Sequence, residues 1–322
     1  MRAVYIEQNG GPQALKYGER PKPEPAAGEV LVKLEASGVN FVDTYHRTGL
    51  YKLTLPAILG SEGAGVVEKA GEGVTGFQPG DRVAYAMARG SYAEYHSVPA
   101  KLLVKVPQEV KLRDAAAVML QGMTAYYLTH STFPLKSGHT ALIHAAAGGT
   151  GSLLVQMAVL RGARVIATAG TDAKAAIARE AGASEVILYE KEPDWQVQVK
   201  KLTGGVGVDV VFDSVGAATF MKGLDCLKPC GYMVSFGQAS GPVQAFDILL
   251  LMNKGSLFVT RPTLSNHVSE PEIAKSTSDI FGWIASGKLK LRIGHEYPLP
   301  DAAQAHRDLE GRKTTGKLIL TI

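Results

Sequence analysis

From residue 139 onward the apolar positions fall into two alternating textures. Short, nearly continuous apolar runs of strand length are followed by longer segments of helical spacing, each bounded by Gly, Pro, Asp or Ser. The stretch His139 to Gly162 (HTALIHAAAGGTGSLLVQMAVLRG) opens the series with a strand run, a small-residue turn and an apolar helix. Strands are then predicted at 164–169, 185–189, 208–213, 232–236 and 256–260, and helices at 172–181, 194–202 and 217–227. Strands joined by helical crossovers make a doubly wound parallel sheet, so the fold class is α/β. The first third reads differently. Val30, Val32 and Leu34 alternate with polar residues, and Gly and Pro turns such as PKPEPAAGE and FQPGD intervene, as in a mostly β, barrel-like domain. Asp114 to Tyr127 has helical composition and leads into the α/β part, which puts the domain boundary near Gln121. Ser269 to Ser286 again reads as a helix. The terminal KLILTI (317–322) reads as a strand with nothing after it to pair, so it returns to the sheet of the first domain.

The turn between the first α/β strand and its helix carries the first chemistry. In a dinucleotide fingerprint, glycines permit a tight turn, close approach of backbone to pyrophosphate and close helix-to-strand packing, and the helix N-terminus offers N–H groups to the anion. Gly148, Gly149 and Gly151 can fill these roles, with Ala147 and Thr150 in the same loop; Ala146 takes the place of the usual first glycine. At the end of the second strand, where an NAD-binding protein places an acid for the ribose hydroxyls, stand Ala169, Gly170 and Thr171. Asp172 opens the next helix and reads as a cap or first-turn residue. A neutral pocket followed by Lys174 leaves space and positive charge for a 2′-phosphate, so the expected cofactor is NADP(H).

Composition narrows the class without changing the fold. A chain of 322 residues suggests about two domains, and 46% hydrophobic with 20% charged residues is ordinary for a globular protein. The net charge of +4 comes from 34 basic and 30 acidic residues scattered along the chain, which argues against a nucleic-acid footprint. Two cysteines, Cys226 and Cys230, cannot build a disulfide framework or a zinc site of their own, and a reducing cytoplasmic setting is expected. No apolar run approaches the roughly 18 residues of a membrane span, and Glu7 interrupts any signal-like start.

Several motifs together are specific. ASGVNFVDTYHRTGLY (36–51), LGSEGAGVVEKAGEGVTGFQPGDRV (59–83), LQGMTAYYL (120–128), HAAAGGTG (144–151), FDSVG (212–216) and GRKTTGKLIL (311–320) resemble, over the whole chain, the zinc-free quinone oxidoreductases (the zeta-crystallin group) of the medium-chain dehydrogenase/reductase family. The resemblance implies a GroES-like catalytic domain from both chain ends (1–123 and 262–322), a Rossmann NADP-binding domain inserted between them (124–261), and a substrate cleft where the two meet. It also implies a homodimer that pairs Rossmann edge strands, for which SLFVT (256–260) is a suitably apolar candidate. For the cofactor it implies Asn40, Thr124, Ala147, Gly148, Gly149, Thr150, Gly151, Gly170, Thr171, Lys174, Tyr189 at the adenosine end, Ser214, Gly216, Phe236, Gly237 and, from the tail, Arg312.

The most informative feature is a substitution of chemistry. Aligning the motifs puts Asn40, Ser61 and Gln121 where zinc-dependent relatives hold the catalytic metal with Cys, His and Cys. Amides and hydroxyls are poor zinc ligands, so no metal is expected, and Glu62 reads as a structural hydrogen-bonding residue. Hydride transfer to a simple ketone needs a Lewis acid or a proton donor. A quinone spreads the incoming charge over two oxygens and needs mainly positioning. For that slot the resemblance supplies Asn40, Asp43, Tyr45, Tyr51 and Gln121; the two tyrosines could flank a flat acceptor or serve as packing residues. His46 reads as a surface or packing histidine. The expected activity is NADPH-dependent quinone reduction. Two alternatives stay open: reduction of an enone, alkenal or enoyl double bond, and a structural or RNA-binding role of an NADPH-binding protein.

Overall fold

The computed structural model describes residues 1–267 and 269–322. In chain order the elements are β1 (Arg2–Ile6), β2 (Lys16–Glu19), β3 (Glu29–Val39), α1 (Phe41–Thr48), β4 (Ala57–Ile58), β5 (Glu62–Ala70), β6 (Arg82–Ala86), β7 (Tyr95–Pro99), β8 (Leu103–Lys105) and α2 (Leu112–Tyr127). There follow β9 (Thr140–Ile143), α3 (Gly149–Leu160), β10 (Arg164–Ala169), α4 (Asp172–Glu180), β11 (Glu185–Leu188), α5 (Trp195–Leu202), β12 (Val208–Asp213), α6 (Phe220–Cys226), β13 (Leu227–Ser235), α7 (Leu249–Asn253) and β14 (Phe258–Thr260). The chain closes with α8 (Glu270–Ala285), β15 (Ile293–Pro298), α9 (Ala302–Glu310) and β16 (Lys317–Thr321). Two compact units result, Met1–Met123 with Val268–Ile322, and Thr124–His267. The chain leaves the second unit after His267 rather than at the expected residue 261. A 3₁₀ turn at Leu264–Asn266 and the stacking of His267 on Tyr127 at 4.7 Å keep this segment with the second unit.

The second unit is a six-stranded sheet in the order β11-β10-β9-β12-β13-β14, parallel throughout. Counted from β9 this is 3-2-1-4-5-6, the Rossmann order, with its switch point between β9 and β12. Strands buried on both faces read as continuous apolar runs, and all six residues of β12 are buried. The core gathers Leu142, Ile166, Val211, Phe220 and Trp195. Expected helix 217–227 begins only at Phe220, because Gly216 has φ +88 and Thr219 opens the helix. Strand β14 is an edge strand, with Phe258 49% exposed and Val259 38% exposed.

The first unit holds a seven-stranded sheet in which β15-β16-β3-β5-β6-β8 form the main path and β7 also pairs with β3, beside a three-stranded sheet β2-β1-β4. Strand β16 pairs antiparallel with β3, Leu318 opposite Val39, so the chain end does return to the first sheet. Helices α1 and α9 are joined by a buried polar chain. Arg47 of α1 is fully buried; it donates to Gly10 O at 3.0 Å, to Glu310 Oε1 at 2.7 Å and to His306 Nδ1 at 2.9 Å. An arginine has only donors, so Nδ1 of His306 must be the acceptor and Nε2 carries the proton. His306 Nε2 therefore donates to Tyr92 Oη at 3.1 Å, and Tyr92 donates to Asp43 Oδ2 at 3.2 Å. Burial, reinforced by the charge of Arg47, pushes the His306 pKa down from 6.5 to about 3.

An unfolded chain protonates this imidazole as pH falls through 6.5, the folded chain only near 3, so folded-state stability is lost on acidification over that window. The His306 contribution to the slope is at most about 1.4 kcal/mol per pH unit. His306→Gln should therefore be less stable than wild type at pH 7, and its urea-unfolding free energy should fall less steeply between pH 6 and pH 4. Parallel curves for the two proteins would show that His306 is not buried neutral.

Candidate active site

In the second unit the expected cofactor residues other than Thr124 lie at carboxyl ends of strands or in the loops and first helical turns that follow them, the edge at which open α/β sheets bind ligands. The loop after β9 turns through Ala145, which adopts φ +51 where the fingerprint would put a glycine nearby. Gly148 N donates to Ala145 O at 2.9 Å, Gly148 is the N-cap of α3, and Ala147 is buried beside it. A Cβ on Gly151 would lie 2.2 Å from Ala145 O, so only glycine lets the helix start this close to the loop. Gly149 and Thr150 occupy the first helical positions, where backbone N–H groups have no intrahelical acceptor. After β10, Thr171 caps α4 by accepting from Lys174 N at 3.3 Å, and Asp172 is the first helical residue, paired with Lys191 at 2.8 Å. Tyr189 follows β11, and a Cβ on Gly170 would lie 2.9 Å from its hydroxyl and 2.7 Å from Glu190 Oε1. Thr124 is half-buried on α2.

Asp213, at the end of β12, was not anticipated. Its buried Oδ1 accepts from Val215 N at 2.7 Å, Gly216 N at 3.1 Å and Thr219 Oγ1 at 2.9 Å, and its backbone carbonyl accepts from Phe236 N at 2.8 Å. One carboxylate thus shapes the loop of Ser214 and Gly216 and docks Phe236 and Gly237 against it; a Cβ on Gly237 would lie 2.5 Å from Ser214 O. Glycine-lined loops, uncommitted helix N-terminal amides and a neutral end to β10 fit a dinucleotide. Pyrophosphate would be held by Gly148 to Gly151, and the adenosine end by Gly170, Thr171, Lys174 and Tyr189. Arg312 belongs to the first unit, exposed after α9 with φ +56.

The first unit holds the residues expected at the former metal-ligand positions. Asn40 is the buried N-cap of α1, and its backbone N–H donates to Asp43 Oδ2 at 2.9 Å. Its side chain is fully engaged: Nδ2 donates to Glu62 Oε1 at 2.6 Å and, at the limit of bonding, to Gly38 O at 3.5 Å. Oδ1 accepts from Lys317 Nζ at 2.8 Å and Gln121 Nε2 at 3.1 Å. Ser61 Oγ donates to Asp43 Oδ1 at 2.7 Å. Asp43 is completely buried, and desolvation raises its pKa to about 6 although Ser61 and the Asn40 N–H oppose the shift. It braces α1, so of the expected slot residues it is the one most committed to structure. Tyr45 and Tyr51 meet edge to face with ring centroids 5.4 Å apart, Tyr51 41% exposed, and His46 lies 5.8 Å from Tyr51. Partial burial and then the charge of Arg89 lower the His46 pKa to about 4, leaving it neutral and no proton donor near pH 7.

Glu62 and Lys317 complete this cluster. Glu62 is 0% exposed, ion-paired with Lys317, and accepts from Leu120 N at 2.6 Å besides Asn40. Gly38 makes room for the pair, since a Cβ there would lie 2.1 Å from Glu62 Oε1 and 2.7 Å from Lys317 Cε. Lys317 is a residue that sequence reasoning did not single out. Its only signal is a lysine heading a strand whose other residues are apolar. This donor set does not fit zinc. Asn40 and Ser61 are spent on neighbouring groups, Asn40 Oδ1 holds an ammonium, and among the described residues no three His, Cys, Asp or Glu converge as metal ligands.

Comparisons with known proteins identify the family. Residues 26–108 match the family model described as alcohol dehydrogenase GroES-like domain, and residues 149–272 match the one described as zinc-binding dehydrogenase. The quinone oxidoreductase of Pseudomonas aeruginosa is 45% identical over 99% of both chains. A 2-haloacrylate reductase of a Burkholderia species is 41% identical, covering 99% of this chain and 98% of its own. The crystal structure of Escherichia coli quinone oxidoreductase complexed with NADPH superposes with a TM-score of 0.98 at 42% identity, covering all of both chains. The chain belongs to the quinone oxidoreductases of the medium-chain dehydrogenase/reductase family.

Proposed function

We propose that this protein is an NADPH-dependent quinone reductase that works without a metal. The observation that carries this reading is the donor set at the former ligand positions, where Lys317 and Glu62 fix the Asn40 carboxamide and through it Gln121, and Asp43 holds the Ser61 hydroxyl, in place of an ion. With no Lewis acid, the acceptor must stabilise the arriving charge itself, and a quinone does so by conjugation. Bound NADPH supplies a hydride, which with one proton from solvent converts a quinone to a hydroquinone. The protein holds the dinucleotide on the α3 N-terminus and the loops after β10, β12 and β13, and offers the planar acceptor the rings of Tyr45 and Tyr51. The 45% identity to a quinone oxidoreductase and the NADPH in the Escherichia coli structure support both assignments.

A second reading is favoured by one relative. The Burkholderia protein is named for reduction of a 2-haloacrylate, an alkene conjugated to a carboxyl group, and such an acceptor makes the same demand for conjugation without a metal. Edge strand β14, with exposed Phe258 and Val259, supports a homodimer formed by pairing β14 with its copy. Two free cysteines, and the absence among the described residues of a helix long and apolar enough to cross a membrane, accord with a cytoplasmic enzyme.

Steady-state assays with NADPH and NADH, each against a panel of benzoquinones, naphthoquinones and enones, test this directly. Quinones with NADPH should give the highest kcat/KM and a hydroquinone product; preferential formation of a saturated carbonyl or acid establishes the second reading, and equal or better use of NADH refutes the cofactor assignment. Tyr51→Phe should alter quinone kcat/KM by about three-fold or more while NADPH affinity, followed by fluorescence titration, stays unchanged. Identical kinetics would remove Tyr51 from the acceptor slot.

A further inference from the structure

The buried ion pair in the first unit dictates how two carboxamides face. An amide side chain can be turned end for end with little change in shape, so its orientation must be set by its neighbours. Asn40 has no freedom. Turned over, it would bring Nδ2 against the Lys317 ammonium and Oδ1 against the Glu62 carboxylate, two repulsive contacts in place of two charge-assisted hydrogen bonds. Oδ1 of Asn40 is thereby fixed as an acceptor. The next amide along, Gln121, must then donate its Nε2 to that oxygen, at 3.1 Å. What remains of Gln121 is one N–H and Oε1, and Oε1 is buried without a hydrogen-bond partner among the described residues. A buried acceptor left unpaired is costly, and a ligand donor arriving beside it supplies the missing partner. Of the three residues at former ligand positions, Gln121 is the one with a buried oxygen lacking a hydrogen-bond partner among the described residues, while Asn40 and the Ser61 proton are committed elsewhere.

We propose that Lys317 is a positioning residue for turnover, acting through Asn40 to lock Gln121 so that its remaining N–H and its Oε1 face the acceptor. A carboxamide held this way suits both ends of the reaction. Its N–H donates to the carbonyl oxygen of a quinone, and its Oε1 accepts from the hydroxyl of the hydroquinone, with no change in the protonation of the protein. Lys317 itself never touches the acceptor, because its ammonium is already bonded to Val39 O at 3.3 Å, to Asn40 Oδ1 and to Glu62. This inference rests on the quinone-reductase reading given above.

A double-mutant cycle tests it, with kcat and KM for a quinone and NADPH affinity by fluorescence measured for every variant. Lys317→Met and Gln121→Met should each lower quinone kcat/KM by about ten-fold or more, with NADPH affinity unchanged within about two-fold. The double variant should be no worse than Gln121→Met alone, because the two residues act through one group. Lys317→Arg should restore at least a third of wild-type activity. Removing one partner of a buried pair strands the other charge, so Glu62→Gln/Lys317→Met, which removes both charges, takes the place of Lys317→Met in the cycle if the single variant does not fold. Losses that multiply in the double variant, or a Lys317→Met enzyme with wild-type quinone kcat/KM, overturn the inference. A wild-type protein that reduces no quinone instead overturns the reading on which it rests, so the two failures are told apart by the first assay.

Discussion

The buried ion pair of Lys317 with Glu62 holds together the polar cluster around Asn40 in the first unit. Residues 255 positions apart in sequence meet across strand β3: Glu62 begins β5 on one side of it, and Lys317 begins β16 on the other. Taking both charges out of water is costly, and the pair is supported by further hydrogen bonds to the ammonium and to both carboxylate oxygens, from Val39 O, Asn40 and Leu120 N. The absence of a side chain at Gly38 is as much a part of this site as the charges. From the ion pair the constraint spreads to Asn40, from Asn40 to α1 and Gln121, and through Asp43 to Ser61 and Tyr92. Under the proposed function, a lysine organises the groups that zinc-dependent relatives arrange around an ion, and the acceptor carries its own charge stabilisation.

The second unit solves a different problem with backbone instead of side chains. Parallel strands place their carboxyl ends along one edge, and at that edge the loops are kept thin by glycine: Gly151 against Ala145, Gly237 against Ser214, Gly170 against Tyr189. Asp213 is the polar counterpart of Lys317, a buried side chain whose hydrogen bonds fold one loop into shape. In both units a buried acidic or basic side chain holds its neighbours in one conformation.

Much of this could be read from the chain alone, and what could not has a physical cause. The α/β half was legible because strands buried on both faces leave unbroken apolar runs, and because Gly148 to Gly151 sit between a strand and a helix. Helix and strand limits fell within a few residues, the differences arising where a left-handed residue such as Gly216 delayed a helix. Asn40, Ser61 and Gln121 were legible only as residue types at positions that the resemblance gives to metal ligands. What occupies those side chains was not, because Lys317 heads a strand that reads as a simple apolar terminus, and its partner lies at the other end of the sequence. The committed role of Asp43 was hidden for the same reason: Tyr92 and His306, which complete its surroundings, are joined to it only by the fold.

The most direct test is anomalous diffraction at the zinc edge from crystals soaked in zinc chloride. With Lys317 bonded to Asn40 and Glu62, the maps should show no anomalous peak within coordination distance of Asn40, Ser61 and Gln121, and clear density for the Lys317 side chain on the carboxylate of Glu62. An ordered zinc ion bound by those three residues, with Lys317 displaced toward solvent, would contradict the central role of the ion pair.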